Sequence, residues 1–407
     1  MNNMIREEKS VSWIVTVVIV VAAVIVSSLS TYLLTRPPEE GAAGKFREIP
    51  LEWIMSLEEN LSTPWTPGGP AGEPITTATV LELTEAEKTT AQDLELREYY
   101  FMGATLDITE ILNKVGMDAV LAGVGKTPIA FMGSESISEQ IDQINSLAAK
   151  ARDVSFIVAE AYEAVTTGPA FAALSEAGVP QLHNWTTPVG LFGTPNYIGL
   201  VDADGYGQGA SAAEILAYAM NYEGEVGIIY FALEQWTNVM RLAGAENTFI
   251  KYPDIEVVAR EGFTSPGQGY DIALGMLQAH PEIDAIWCTW MMGPATGAAE
   301  AVIALGKEAE VVVAAPDLGG ITGARFIANK THPIIGCGEA DCIGMGRNSI
   351  NAALKWLLGQ KEEVRGIYTV SRVYPIVRTN LVDAWYKSGN GPAFGPLPAD
   401  VLALLEE

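Results

Sequence analysis

The sequence predicts an α/β protein of two similar doubly wound parallel-sheet lobes, preceded by an N-terminal transmembrane helix. Three observations carry this. Short apolar runs alternate with stretches of helical period over most of the chain, the two halves repeat one order of elements, and one uncharged run near the N-terminus is long enough to span a bilayer. At 407 residues with 49% hydrophobic side chains, the chain can bury a core in each of two domains of ordinary size.

The elements follow in order. From Val11 to Leu34 the run VSWIVTVVIVVAAVIVSSLSTYLL carries no charge; as a helix it reaches roughly 36 Å, beyond the ~30 Å hydrocarbon core of a membrane. Arg6 and Lys9 precede it, diluted by Glu7 and Glu8, and Arg36 follows, a balance that favours the N-terminus inside. No A-x-A site follows the run, which favours an uncleaved anchor over a secretory peptide, although Lys9-Ser10 resembles a pilin-like processing site. Either reading places the remainder outside the cell. Residues 35–75 are rich in Pro and Gly (RPPEEGAAG, STPWTPGGPAGEP) and read as a spacer too irregular to pack. LTEAEKTTAQDLELR, 83–97, reads as a polar helix.

From there the period alternates. YYFMGAT (99–105), PIAFMG (128–133), SFIVAEA (155–161), PQLHNW (180–185) and YIGLVDA (197–203) read as strands separated by helical stretches such as SISEQIDQINSLAAKA. A second set follows: EVGIIYF (225–231), IEVVAR (255–260), DAIWCT (284–289), EVVVAA (310–315) and PIIGCG (333–338). Near-continuous apolar strands alternating with helices are the pattern of a parallel sheet covered on both faces. Each half also contains a strand, a loop with Gly-Pro-Ala (168–170 and 293–295), an Ala-rich helix and a glycine stop. Two such lobes enclose a cleft, and ligands of open α/β sheets bind beyond the carboxyl ends of the strands.

Composition and motifs exclude several functions. Fifty acidic against 24 basic residues give a net charge of −26, which argues against a nucleic-acid partner, since phosphate binding needs clustered Lys and Arg. Gly123-Val124-Gly125-Lys126-Thr127 resembles the end of a phosphate-binding loop, but Val120 stands where a glycine is needed, and here a helix leads into a strand rather than the reverse. Gly205-Tyr206-Gly207-Gln208-Gly209 lacks dinucleotide-binding spacing and fits a helix start capped by Asp204. His183 has no evident nucleophile nearby, and no catalytic constellation is present, so an enzyme is not expected. The three cysteines (Cys288, Cys337, Cys342) and three histidines have no zinc spacing, so neither a metal nor another cofactor is expected. Outside the cell a Cys337–Cys342 disulfide is permitted, though two thiols near a turn are more often unpaired. Asn60, Asn184 and Asn329 open glycosylation sequons.

The succession AGVPQLHNW, VDADGYGQGASAAEILA, VGIIYF, TNVMRLAGAENTFIKYPDIEVV, HPEIDAIW and APDLGG, between Tyr99 and about Arg378, resembles the substrate-binding proteins of sugar ABC transporters of the ribose type. The resemblance implies the type I periplasmic-binding-protein fold: two lobes joined by three hinge crossings, closing over a small polar ligand. It places the crossings near Asp204, near Gly338 and around Arg365 to Ser371. The organisation it implies is residues 1–34 tail and membrane helix, 35–96 spacer and polar helix, 97–204 with 339–364 lobe 1, 205–338 with 365–378 lobe 2, and 379–407 a tail packed along a lobe.

The family's ligand contacts lie in loops after the strands. Their counterparts here include Thr105 and Asp107, which fall where an aromatic pair is common, and Arg241, which falls at the family's arginine and offers five donors in a fixed fork. Asp317 matches the family's aspartate, an acceptor for vicinal hydroxyls. Trp185 and Trp290 replace polar residues at two strand ends, and Glu339 takes the place of a hinge glutamine. Two indoles suit the C–H faces of a sugar, adding on the order of 0.5–1.5 kcal/mol beyond buried area. The resemblance thus implies an extracytoplasmic protein, anchored in the membrane by its single N-terminal helix, that binds a carbohydrate and delivers it to an ABC permease. The alternative is a ligand-sensing or surface-scaffold ectodomain of the same fold.

Overall fold

The computed structural model describes residues 45–104 and 106–407. The expected membrane helix, 11–34, and Thr105 lie outside the described residues, among which no helix is long and apolar enough to cross a membrane. All the strands described below lie within one compact unit, Arg47–Glu407.

In chain order the strands are β1 (Glu98–Gly103), β2 (Ala130–Gly133), β3 (Val154–Glu160), β4 (Gln181–Asn184), β5 (Tyr197–Ala203), β6 (Glu223–Phe231), β7 (Asp254–Phe263), β8 (Ala285–Cys288), β9 (Val312–Pro316), β10 (Ile334–Ala340), β11 (Ile367–Ser371) and β12 (Val373–Val377). They form two six-stranded sheets, ordered β2-β1-β3-β4-β5-β11 in lobe 1 and β7-β6-β8-β9-β10-β12 in lobe 2. All pairings are parallel except β10 with β12. Helices cover both faces, which explains why β4, β5, β8 and β9 are buried at every residue and read as apolar runs.

Helix Gly205–Ala219 is buried almost throughout. Its glycines serve packing: a Cβ on Gly209 would lie 1.8 Å from the Arg241 carbonyl oxygen, and one on Gly244 would lie 2.1 Å from that of Tyr206. The Trp236–Ile250 helix can therefore lie directly on this one, which fixes the height at which Arg241 enters the cleft. Lys126 donates to the carbonyls of Gln92 and Leu94, a structural role. The three cysteines are free and buried. Asn184 is also buried, so its sequon is closed to a glycan in the folded chain. His183 lies edge-on to Phe171, and burial lowers its pKa to about 3, so it is a neutral core residue.

The chain crosses between lobes after β5, after β10 and between β11 and β12. The expected organisation assigns 365–378 to lobe 2 and 339–364 to lobe 1. Instead Ile367–Ser371 pairs with β5 in lobe 1, while Glu339 and Ala340 still pair with β12 in lobe 2. The third crossing is thus Arg372 and the second Asp341. The first two crossings repeat one local sequence, Asp202-Ala203-Asp204-x-x-Gly207 and Glu339-Ala340-Asp341-x-x-Gly344. In each, the second acid caps the following helix by accepting from the glycine N–H, Asp204 from Gly207 at 2.9 Å and Asp341 from Gly344 at 2.8 Å.

The segment expected to be a loose spacer packs. Arg47 N donates to Ala219 O, the Leu51–Asn60 helix lies beside β12 with Ile54 and Leu57 buried, and Glu58 pairs with Arg372 and Lys387. Trp65 N, Thr66 N and Thr66 Oγ1 donate to Asp204, and Thr76 N then donates to Tyr368 O on the edge of lobe 1. The segment from Arg47 to Thr76 therefore runs from lobe 2 over two crossings to lobe 1. Its Pro and Gly residues shape a strap whose bonds run through backbone groups. The tail also differs from expectation: Phe394 packs against the cores of both lobes, and Asn390 donates to Glu339.

Asp204 joins the strap, the first crossing and a helix start through buried hydrogen bonds. Asp204→Ala leaves several N–H groups unpaired and should destabilise the protein by about 3 kcal/mol, read as a lower denaturant midpoint at unchanged slope; a midpoint equal to wild type would contradict the strap's contribution.

Candidate functional site

Between the lobes, at the carboxyl ends of the parallel strands, lies a cavity of about 340 Å³. That volume stands at the low end of small-molecule sites, about 300–1,000 Å³, and suits a small solute better than an oligomer. Lobe 1 contributes Asp107, Glu110, Glu160, Tyr162 and Trp185, and lobe 2 contributes Phe231, Gln235, Asn238, Arg241, Trp290 and Asp317. The lobes meet at its rim, where Gln235 Nε2 donates to Glu160 Oε1 at 3.2 Å and Trp236 N donates to Thr186 Oγ1 at 3.2 Å.

Arg241 forms the floor. Its Nε and Nη2 donate to Gln208 Oε1 at 3.1 and 3.0 Å, and Nη2 donates to Asp317 Oδ1 at 2.9 Å. Gln208 turns its amide to the same Asp317 oxygen at 3.0 Å and to Gly338 O. The guanidinium lies 5.7 Å from the Trp185 ring centroid. Three of its five donor directions are thus engaged by Gln208 and Asp317, and only the Nη1 contacts, to Asn238 and Thr289 at 3.4 and 3.5 Å, are long. Asp317 Oδ2 has no hydrogen-bond donor among the described residues. Burial raises the Asp317 pKa, opposed by the charge of Arg241.

Two aiming residues are held in the left-handed region, Trp185 at φ 63° and Asp317 at φ 64°. Each follows a strand end, β4 and β9, where the backbone must turn sharply to present a side chain to the cleft. Non-glycine residues in this region cost on the order of 1–3 kcal/mol. Trp185 is also bound through its carbonyl, which accepts from Thr237 N and Oγ1 across the cleft. Trp290 stands edge-on to Phe231 and Phe263 and donates Nε1 to Met292 O.

Of the residues singled out from sequence, Asp107, Trp185, Arg241, Trp290 and Asp317 line this one cavity, and Thr105 lies outside the described residues. Asp107 also caps the Ile108–Gly123 helix through Oδ1. Glu339 does not line the cavity: it is buried behind Asp317, accepting from Leu318 N and Asn390 Nδ2, because its strand β10 still runs within the lobe 2 sheet at that point.

Sequence reasoning missed Glu110 and Glu160. Glu160 ends β3, and the rule that ligand contacts follow strands could have found it; Glu110 lies in the first turn of a helix, where an acid reads as dipole compensation. Their carboxyls neighbour one another on the lobe 1 wall. Burial and the neighbouring Glu160 and Asp107 push Glu110 well above the usual carboxylate range, and burial with Asp107 raises Glu160 to about 7.

Residues 107–361 match the family model described as a periplasmic binding protein domain. A xylitol-binding protein of Mycolicibacterium smegmatis is 27% identical over 154 residues, 38% of this chain and 42% of that protein; the match thus spans less than half the length of this relative. Among solved structures, a glucose-galactose binding protein from Geobacillus stearothermophilus superposes with TM-score 0.61 at 19% identity, covering 70% of this chain and 98% of that one. An ABC transporter solute-binding protein from Bacillus halodurans with bound myo-inositol gives 0.60 at 20%, covering 72% and 99%. One from Agrobacterium vitis with bound allitol gives 0.62 at 18%, covering 72% and 100%. At these identities the structures establish the shared fold.

Burial raises Asp202 and Glu339, the first acids of the repeated hinge sequence, to about 8, as it raises Glu160 to about 7. Each binds its proton more tightly folded than unfolded, so its contribution is complete below the ordinary carboxylate value near 4 and is lost as pH rises through 7 to 8. Glu87, held at about 2 by the Thr84 backbone N–H and by Gln360, acts oppositely, but only below about pH 4.5. The melting temperature should therefore fall between pH 5 and pH 8, and Asp202→Asn should flatten that slope; a melting temperature constant over this range would contradict the assignment.

Proposed function

The chain belongs to the periplasmic binding protein family, and from that premise we propose that it captures a small polyhydroxylated solute, a sugar or polyol, in the interlobe cavity and delivers it to an ABC permease. The observation that carries this reading is that acids, aromatic rings and one arginine from both lobes line a single cavity at the strand ends. Asp317 Oδ2, Asp107 and Asn238 accept from or donate to hydroxyls, while Trp290 and Phe231 offer apolar faces to C–H groups. Contacts from both lobes exist together only when the lobes are shut, so a bound solute shifts the hinge equilibrium toward closure. Micromolar capture, about −8 kcal/mol, is sufficient for delivery.

The same reading places the protein at the outer face of a membrane, tethered by the uncharged run 11–34, with the N-terminus inside. Sugar and polyol ligands in the names of the relatives are consistent with this solute class.

A thermal-shift screen with hexoses, pentoses, hexitols and inositols should give a rise in melting temperature with at least one of them. Arg241→Ala should weaken that solute at least tenfold, whereas Tyr386→Ala, on an exposed surface of the tail, should leave affinity unchanged. Stabilisation by none of these compounds, or undiminished affinity in Arg241→Ala, refutes the reading.

A further inference from the structure

Resting on that reading of the cavity, we infer that the solute carries a protonated amine, as an amino sugar does, and that its ammonium is received by Asp107, Glu110 and Glu160 on the lobe 1 wall. Glu110 is 4% exposed and lines the cavity, and beyond its own backbone N–H its carboxyl faces those of Asp107 and Glu160 among the described residues. No Lys or Arg of the cavity is available to them, because Arg241 is already paired with Asp317 on the opposite wall. Four carboxyl groups thus face one neutralised cation.

The placement makes closure itself depend on the solute's charge. Asp107 raises the proton affinity of Asp317 across the gap and of Glu160 beside it, so shutting the lobes brings like charges together as water leaves. A neutral solute supplies hydroxyl donors but no countercharge, so Glu110 and Glu160 keep their protons, whereas an ionised acid left there unpaired would be costly. An ammonium supplies a positive charge and three N–H donors to the acids of this wall, and takes the place of the protons that Glu110 and Glu160 otherwise hold. A metal ion is the less suitable cation, since no cluster of His, Cys, Asp or Glu among the described residues has metal-holding geometry. The aromatic groups Trp290, Phe231 and Tyr162 then flank the ring or chain that carries the amine.

The test is isothermal titration calorimetry at pH 7.5 on the full-length chain in detergent. The probes are D-glucosamine, D-galactosamine and D-mannosamine, each beside its parent hexose and its N-acetyl derivative, with myo-inositol, xylitol and putrescine as further arms. At least one hexosamine is expected to bind tenfold or more tightly than its parent hexose and its N-acetyl form, and Glu160→Gln should reduce that preference at least tenfold. Glu110→Gln, which keeps size and hydrogen bonding, should do the same if Glu160→Gln folds poorly. A neutral hexose or polyol binding as well as or better than every hexosamine overturns the inference while the sugar-binding reading stands. Putrescine binding more tightly than all hexosamines supports the ammonium subsite and overturns the sugar skeleton; no binding of any probe overturns both.

Discussion

The site is organised around one buried cation. Arg241 is placed beneath the cleft by two helices packed glycine to backbone, and it remains there because Asp317 and Gln208 satisfy most of its fork. A guanidinium in this position without its carboxylate would be a costly unpaired charge, so Asp317 has to be turned inward even through a left-handed backbone. The same requirement orders the neighbours. Thr237, one turn before Arg241 on its helix, bonds the Trp185 carbonyl and the Asp202 carboxyl, tying the lobe 1 strand end and the first crossing to the helix that carries the cation. Site and hinge are in this way one hydrogen-bonded unit.

The hinge has more restraint than three crossings supply. The strap from Arg47 to Thr76 bonds lobe 2, the Asp204 crossing and the lobe 1 edge in succession, and Glu58 holds Arg372 at the third crossing. The tail adds Asn390 beneath Glu339. Motion between lobes must therefore be concentrated at a few backbone positions, which absorb the φ/ψ changes of hinge closure. Both helix-forming crossings carry a buried acid, Asp202 and Glu339, each raised to about 8 chiefly by burial.

Much of the fold was legible in the sequence, for a physical reason. Parallel strands buried on two faces are written as continuous apolar runs, and β3, β5, β6, β8 and β9 follow such runs closely. β11 and the strap were not legible. β11 falls within residues 365–378, which the sequence assigns to lobe 2, yet it joins lobe 1, because local sequence does not say which sheet edge a strand joins. Pro- and Gly-rich stretches read as linkers because their packing uses backbone donors, which leave no side-chain pattern. The hinge repeat of two acids and a glycine was present in the sequence at 202–207 and 339–344 and shows its meaning only when both are seen to cap helices. Within the site, strand-end residues such as Trp185 and Trp290 follow from element order, whereas Glu110 and Glu160 lie fifty residues apart in the chain and meet only through β1–β3 pairing.

The central claim is that a polar solute is held where the strand ends of the two lobes face each other. The most direct measurement is a crystal structure grown with the compound that raises the melting temperature most. Density is expected between Trp290 and Arg241, within hydrogen-bond reach of Asp317 Oδ2 and the Asp107 side. Density for that compound at another place on the molecule, with this cavity filled only by water, would contradict it.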